Sequence, residues 1–153
     1  MSKLTLQAAA RELISSHAVS CYPNEACGAL IGVRRDDGIA IETARGLPNR
    51  LSVRGDRFEI EPLAYGRLER ELAVAGAGNG PRIVGFFHSH PEALARPSSI
   101  DLEMALGLFE VAREYYVYAI QSVTAQGAGE LTFWRLQAHR GDFEELYAVG
   151  DLH

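Results

Sequence analysis

The chain has 153 residues and a formal net charge of -5, with its arginines scattered rather than gathered into a stripe. A nucleic-acid partner, whose phosphates demand a clustered basic face, is therefore not expected. Hydrophobic residues make up 47% and charged residues 23% with no low-complexity tract, so residues 1–153 read as one globular domain able to bury its own core.

No apolar run approaches the roughly 18 residues that a membrane helix needs. Arg11 and Glu12 interrupt the first apolar patch too early for a signal peptide. Two cysteines, Cys21 and Cys27, are too few for a disulfide scaffold, and a cytoplasmic location is the expectation.

Residues 3–18 place Leu6, Ala9, Ala10, Leu13, Ile14 and His17 at helical spacing, with Ser2 as a candidate cap. Tyr22-Pro23-Asn24 ends that unit. Glu25-Ala26-Cys27-Gly28 then leads into a short apolar strand, Ala29 to Val33. Asp36-Asp37-Gly38 signals a hairpin, with Ile39 to Ala44 returning as the partner strand. Residues 46–56 read as a loop, and Phe58-Glu59-Ile60 alternates like a half-buried strand. Pro62 suits the first turn of a helix running to Ala73, which dissolves in a connector from Gly76 to Gly80.

The next segment carries the chemistry. An apolar run, Ile83-Val84-Gly85-Phe86-Phe87, passes directly into His88-Ser89-His90-Pro91. On a strand, alternate side chains share a face, so His88 and His90 point the same way, roughly 6.5–7 Å apart along the chain. Pro91 cannot donate to a ladder, so the strand should stop there with His90 at its mouth. Pro97 and Ser98 read as a helix start, which puts Asp101 in the first turn. Two neutral imidazoles and one carboxylate are the donor set of an open catalytic zinc site.

Beyond it, Ile100 to Glu110 reads as a helix with Leu102, Ala105, Leu106 and Phe109 inward. Tyr115 to Ile120 is aromatic and β-branched, a strand to set beside the central one. A turn at residues 125–129 leads into Leu131 to Leu136, and Phe143 to Val149 is read as a weak strand. The sum is an α/β layer architecture, about three helices around a mixed sheet of six or more strands.

A zinc-bound water needs a proton carrier that does not ligate the metal, and Glu25 is the candidate, in a loop just before a glycine-flanked strand. The Ser98 hydroxyl, one helical turn from Asp101, is the candidate donor to a developing oxyanion. Blander readings stand beside these. Ser98 and Asp101 also fit a capping box, and Glu25 an exposed loop acid. Cys27 fits a small buried residue better than a ligand, Glu92 a solvated loop charge, and His17 a packed helix residue. A cupin-like iron site would want a glutamate where Leu94 and Ala95 stand. Deaminase chemistry needs a later cysteine pair, and no cysteine follows Cys27.

Glu25, His88-Ser89-His90 and Ser98-Ser99-Ile100-Asp101, with ten residues between His90 and Asp101, resemble the JAMM motif of the MPN family of zinc metallopeptidases. Glu25 to Gly32 also resembles that family's glutamate-bearing strand, and the short loops resemble its stand-alone bacterial and archaeal members. The resemblance implies the MPN fold, a cytidine-deaminase-like, mostly antiparallel arrangement. It implies Zn2+ held by His88, His90 and Asp101, Glu25 as general acid/base, and Ser98 as oxyanion donor. It further implies cleavage of a peptide or isopeptide bond after the Gly-Gly tail of a ubiquitin-like or sulfur-carrier protein. A non-catalytic MPN scaffold is the competing expectation. Asn49 and Phe58 resemble positions recurrent in the bacterial members and receive no chemistry.

Overall fold

The computed structural model describes residues 3–51, 59–77 and 79–150. Along the chain run β1 (Lys3–Leu6), α1 (Ala8–Cys21), β2 (Cys27–Arg35), β3 (Gly38–Leu47), α2 (Pro62–Ala75), β4 (Arg82–Pro91), α3 (Ser99–Ala112), β5 (Val117–Thr124), β6 (Gly127–Gln137), β7 (Asp142–Leu146) and β8 (Ala148–Gly150). The strands form one sheet in the order β7-β6-β5-β4-β2-β3-β1-β8. This is the expected mixed α/β layer architecture. Antiparallel pairing links β3-β2-β4 and β5-β6-β7, while β4–β5, β1–β3 and β1–β8 are parallel.

Alternation along the central strands sends neighbouring side chains into different cores. Val84 and Phe87 of β4 join Leu30, Ile41, Ala10 and Ile14 in a cluster under α1. Ile83 and Phe86 join Ala29, Ile31, Leu68 and Leu108 in a second cluster under α2 and α3. His88 follows Phe86 by two residues and therefore emerges on the α2/α3 face. Gly85 lets β4 and β5 approach closely, since a Cβ there would lie 2.0 Å from the Val117 carbonyl oxygen.

The first expected element is corrected. Lys3–Leu6 is a strand with Leu4 and Leu6 buried, and the helix begins only at Ala8. Four residues cannot separate a period of two from one of 3.6, and pairing with β3 and β8 decides the matter. The buried stripe of α1 is Ala10, Ile14 and Ala18, while Leu13 is 46% exposed. In α3 only Ala105 of the four expected inward residues is fully buried; Leu102, Leu106 and Phe109 are half-buried. Ser2 and Phe58 lie outside the described residues, and Ile60 makes a single bridge, to Asn49. The segment from Phe143 to Val149 is extended as expected, but it divides at Tyr147. Its halves occupy opposite edges of the sheet. The sheet therefore curls enough to bring the end of β7 and the start of β8 within one residue of each other along the chain.

Candidate active site

The candidate site forms where β2 begins and β4 ends. Cys27 pairs with His88 in an antiparallel register. One step further out, the Ala26 N–H donates to the Ser89 hydroxyl at 2.8 Å, and the Ser89 N–H donates to the Ala26 carbonyl at 3.0 Å. The next step sets Glu25 beside His90. Residues 63 positions apart are thus joined by strand register, which no local sequence pattern specifies. Glu25 is 6% exposed, not the solvated loop acid of the blander reading. Glu25, His88 and His90 each present a donor atom within 4.8 Å of the others.

Asp101 faces the same two histidines. The two Nε2 atoms are 3.1 Å apart, His88 Nε2 lies 3.2 Å from Asp101 Oδ1, and His90 Nε2 lies 3.1 Å from Asp101 Oδ2. His90 Nδ1 faces the Leu94 carbonyl at 2.9 Å, an acceptor that only an N–H can satisfy. In the neutral ring the Nε2 lone pair is then turned inward, onto a carboxylate oxygen and another imidazole nitrogen. Acceptors gathered in this way require a proton or a cation among them. Their separations resemble the roughly 3.3 Å edges of a tetrahedron around an ion with bonds of about 2.0–2.1 Å. The donor set fits zinc. Either of the two carboxylates near the histidines, Glu25 or Asp101, completes a three-ligand set.

The protonation energetics agree. Burial alone would lower the His90 pKa, but hydrogen bonds to Asp101 and the Leu94 carbonyl, with the charges of Asp101 and Glu25, raise it overall. Burial alone would raise Asp101. Hydrogen bonds and charge from His88 and His90, with the Ser98 N–H, instead hold its carboxyl well below the usual range.

Ser98 caps α3, and the capping box and the metal-facing geometry coexist. Asp101 N–H donates to Ser98 Oγ at 3.1 Å, and Ser98 N–H donates to Asp101 Oδ2 at 2.8 Å. The cap uses Oδ2, leaving Oδ1 to face His88. Ser98 accepts at its oxygen within the cap, so that bond does not consume its own O–H. The loop carrying these groups is pinned from β6: the Thr132 hydroxyl donates to the Ala95 carbonyl at 2.7 Å and accepts from the Trp134 indole N–H at 2.8 Å.

The remaining sequence candidates fall outside the cluster. Cys27 is buried, its thiol lies near the Leu47 and Pro48 carbonyls, and burial above all pushes its pKa up to about 12. Glu92 has a left-handed backbone and accepts a hydrogen bond from the Tyr22 hydroxyl. His17 is half-buried with its ring edge against Phe87, and burial lowers its pKa. Sequence reasoning missed Ser89, Thr132 and the Leu94 carbonyl as supports, and it gave Asn49 no role. Ser89, Thr132 and Asn49 act through hydrogen bonds between residues far apart in the chain, and Leu94 through a carbonyl four residues beyond His90.

A cavity of about 500 Å³ opens beside His88 and Asp101, with Phe86, Met104, Leu108, Tyr118 and Trp134 among its mostly apolar walls. A second cleft of about 400 Å³, around Arg34, Arg35 and His139, lies at the opposite end of the strands and touches none of the candidate residues.

Comparison with known proteins bears on this arrangement. The family described as prokaryotic homologues of the JAB domain matches residues 7–137. The chain is 34% identical over 110 residues to the desampylase of Haloferax volcanii, covering 68% of this chain and 73% of that protein. It is 30% identical over 129 residues to the Lys-63-specific deubiquitinase BRCC36 of Camponotus floridanus, covering 83% of this chain but only 50% of that longer protein. Among solved structures, protein DSY2949 from Desulfitobacterium hafniense aligns with a TM-score of 0.74 at 27% identity, over 97% of this chain and 92% of that one. A protein from Salinibacter ruber aligns at 0.66 and 30% identity, with the same shares covered.

Proposed function

The chain belongs to the family of prokaryotic JAB-domain homologues, and from that premise we propose that it is a zinc-dependent isopeptidase acting on ubiquitin-like proteins. The observation that carries this reading is the meeting of Glu25, His88, His90 and Asp101 at the end of β4. Desampylase and a Lys-63-specific deubiquitinase, the relatives named above, support the substrate class. In this reading residues 1–153 are one catalytic domain. A cytoplasmic location belongs to it too, supported by two free cysteines.

His88, His90 and Asp101 would hold the zinc. Once bound, the ion supplies Lewis acidity and lowers the pKa of a coordinated water to about 7. Glu25 takes the proton from the attacking water and passes it to the departing amine. The Ser98 O–H donates to the scissile carbonyl oxygen as that atom gains charge. Leu94 holds the His90 ring through Nδ1, fixing which nitrogen faces inward. The bond cleaved is the one following the Gly-Gly tail, where the absence of side chains lets the substrate backbone come close to the strands.

The experiment is direct. The protein, loaded with zinc, is incubated with a ubiquitin-fold protein whose Gly-Gly tail carries a reporter peptide, and the product is examined by mass spectrometry. Release of a new C-terminus after the second glycine is expected, together with stoichiometric zinc by elemental analysis. A zinc-loaded protein that leaves every such fusion intact would leave a binding scaffold as the better reading.

A further inference from the structure

We propose that Asn49 is the positioning residue for Glu25, holding the backbone from which that carboxylate reaches toward His88 and His90. This inference rests on the reading of Glu25 as proton carrier.

The argument begins with the ladder. Cys27 of β2 pairs with Leu47 of β3, so the same register carried two residues outward brings Asn49 opposite Glu25. Pro48, between Leu47 and Asn49, turns its carbonyl outward to accept from the Glu61 N–H at 3.1 Å. At Glu25 the donor comes from a side chain: Asn49 Nδ2 donates to the Glu25 carbonyl oxygen at 3.0 Å.

The amide is itself held. Asn49 Oδ1 accepts from the backbone N–H groups of Leu51 and Glu59, each at 2.9 Å. Two N–H donors on one side and a carbonyl on the other leave a single sensible assignment of oxygen and nitrogen. On its other flank Glu25 is tied through Ala26 to Ser89, between the two histidines. The backbone at Glu25 is thus clamped from β4 on one side and from Asn49 on the other. Displacement of a reacting group by about 1 Å can cost on the order of 100-fold in rate.

Asn49→Asp separates the two halves of this role. An aspartate keeps an oxygen for the Leu51 and Glu59 N–H groups but loses the donor and faces the Glu25 carbonyl with an oxygen. Asn49→Ala removes both halves. The probe is a ubiquitin-fold protein whose Gly-Gly C-terminus carries aminomethylcoumarin. For Asn49→Asp, kcat should fall roughly 10–100-fold with KM and zinc content unchanged and the protein still fully folded at the assay temperature. Crystal structures of the zinc-loaded variants should show the Glu25 carboxylate displaced from its wild-type place relative to the two Nε2 atoms.

Wild-type kcat in Asn49→Asp, or a Glu25 carboxylate that has not moved, overturns the proposal. A rate loss that tracks lost zinc or unfolding at the assay temperature overturns it as well, since Asn49 would then be a structural residue. Glu25→Gln, measured alongside, separates the two levels. If Glu25→Gln turns over normally, the proton-carrier reading has failed; if it is inactive while Asn49→Asp is not, only the Asn49 inference has. Where no variant, wild type included, cleaves the probe, the position of Glu25 in the crystal structures decides.

Discussion

Ala26 and Ser89 hold each other by two hydrogen bonds, one to the serine hydroxyl at 2.8 Å and one between main chains at 3.0 Å. The pair joins the residue after Glu25 to the residue between His88 and His90, so one contact sets the distance from carboxylate to imidazoles. Ser89 and Ala26 are almost completely buried. Replacing Ser89 by Ala strands the Ala26 N–H away from water, at a cost of about 1–3 kcal/mol. Chemical denaturation should show that loss, and turnover should fall more than zinc binding does. A Ser89→Ala protein with wild-type stability would mean that water or a backbone shift replaces the hydroxyl.

Glu25→Gln keeps the shape of the side chain but removes the base. Zinc content should be unchanged while kcat drops by a factor of about 10²–10⁴, the usual contribution of a positioned acid/base group. Elemental analysis and steady-state kinetics on the Gly-Gly probe check both halves. Undiminished turnover would remove Glu25 from the mechanism.

Asp101→Ala takes away a ligand and half of the α3 capping box together. Zinc affinity should fall at least tenfold, and loss of the cap should cost about 1 kcal/mol of stability. Ser98→Ala removes the other half of the cap and spares the carboxylate. Competition with a chromogenic chelator should therefore separate the two variants; equal affinity in Asp101→Ala and wild type would undo the ligand assignment.

Zinc should stabilise the fold more at pH 8 than at pH 6. In the metal-free protein the His90 pKa is raised above its ordinary 6.5, so the stability from its pairing with Asp101 is complete below that value and is lost as pH rises through the higher folded value. Asp101 is depressed, and its contribution disappears only in strong acid, outside this window. Zinc must displace the His90 proton, which becomes easier at high pH. The zinc-induced rise in Tm, followed by calorimetry with and without a chelator, should accordingly grow from pH 6 to 8. A flat or reversed dependence would show that His90 is not the group the metal competes for.

The sequence by itself determined the local parts of this protein. The apolar run before His88 made β4 a buried central strand, the period of two put both imidazoles on one face, and Pro91 closed the strand. Ser98 and Asp101, three residues apart, made both a helix cap and a carboxylate held at a known turn. Each of these follows from forces acting over a few residues. Residues 3–6 were misread because so short a segment carries no decisive period, and the edge position they fill is created by strands distant in the chain.

Only the tertiary structure decided that Glu25 and Asp101 flank the same two histidines, that Asn49 holds the Glu25 carbonyl, and that Thr132 pins the loop at Ala95. The physical reason is that these contacts depend on strand register. Backbone hydrogen bonding favours every register almost equally, and the choice among them is made by burying Phe86 and Phe87 on opposite faces of one sheet.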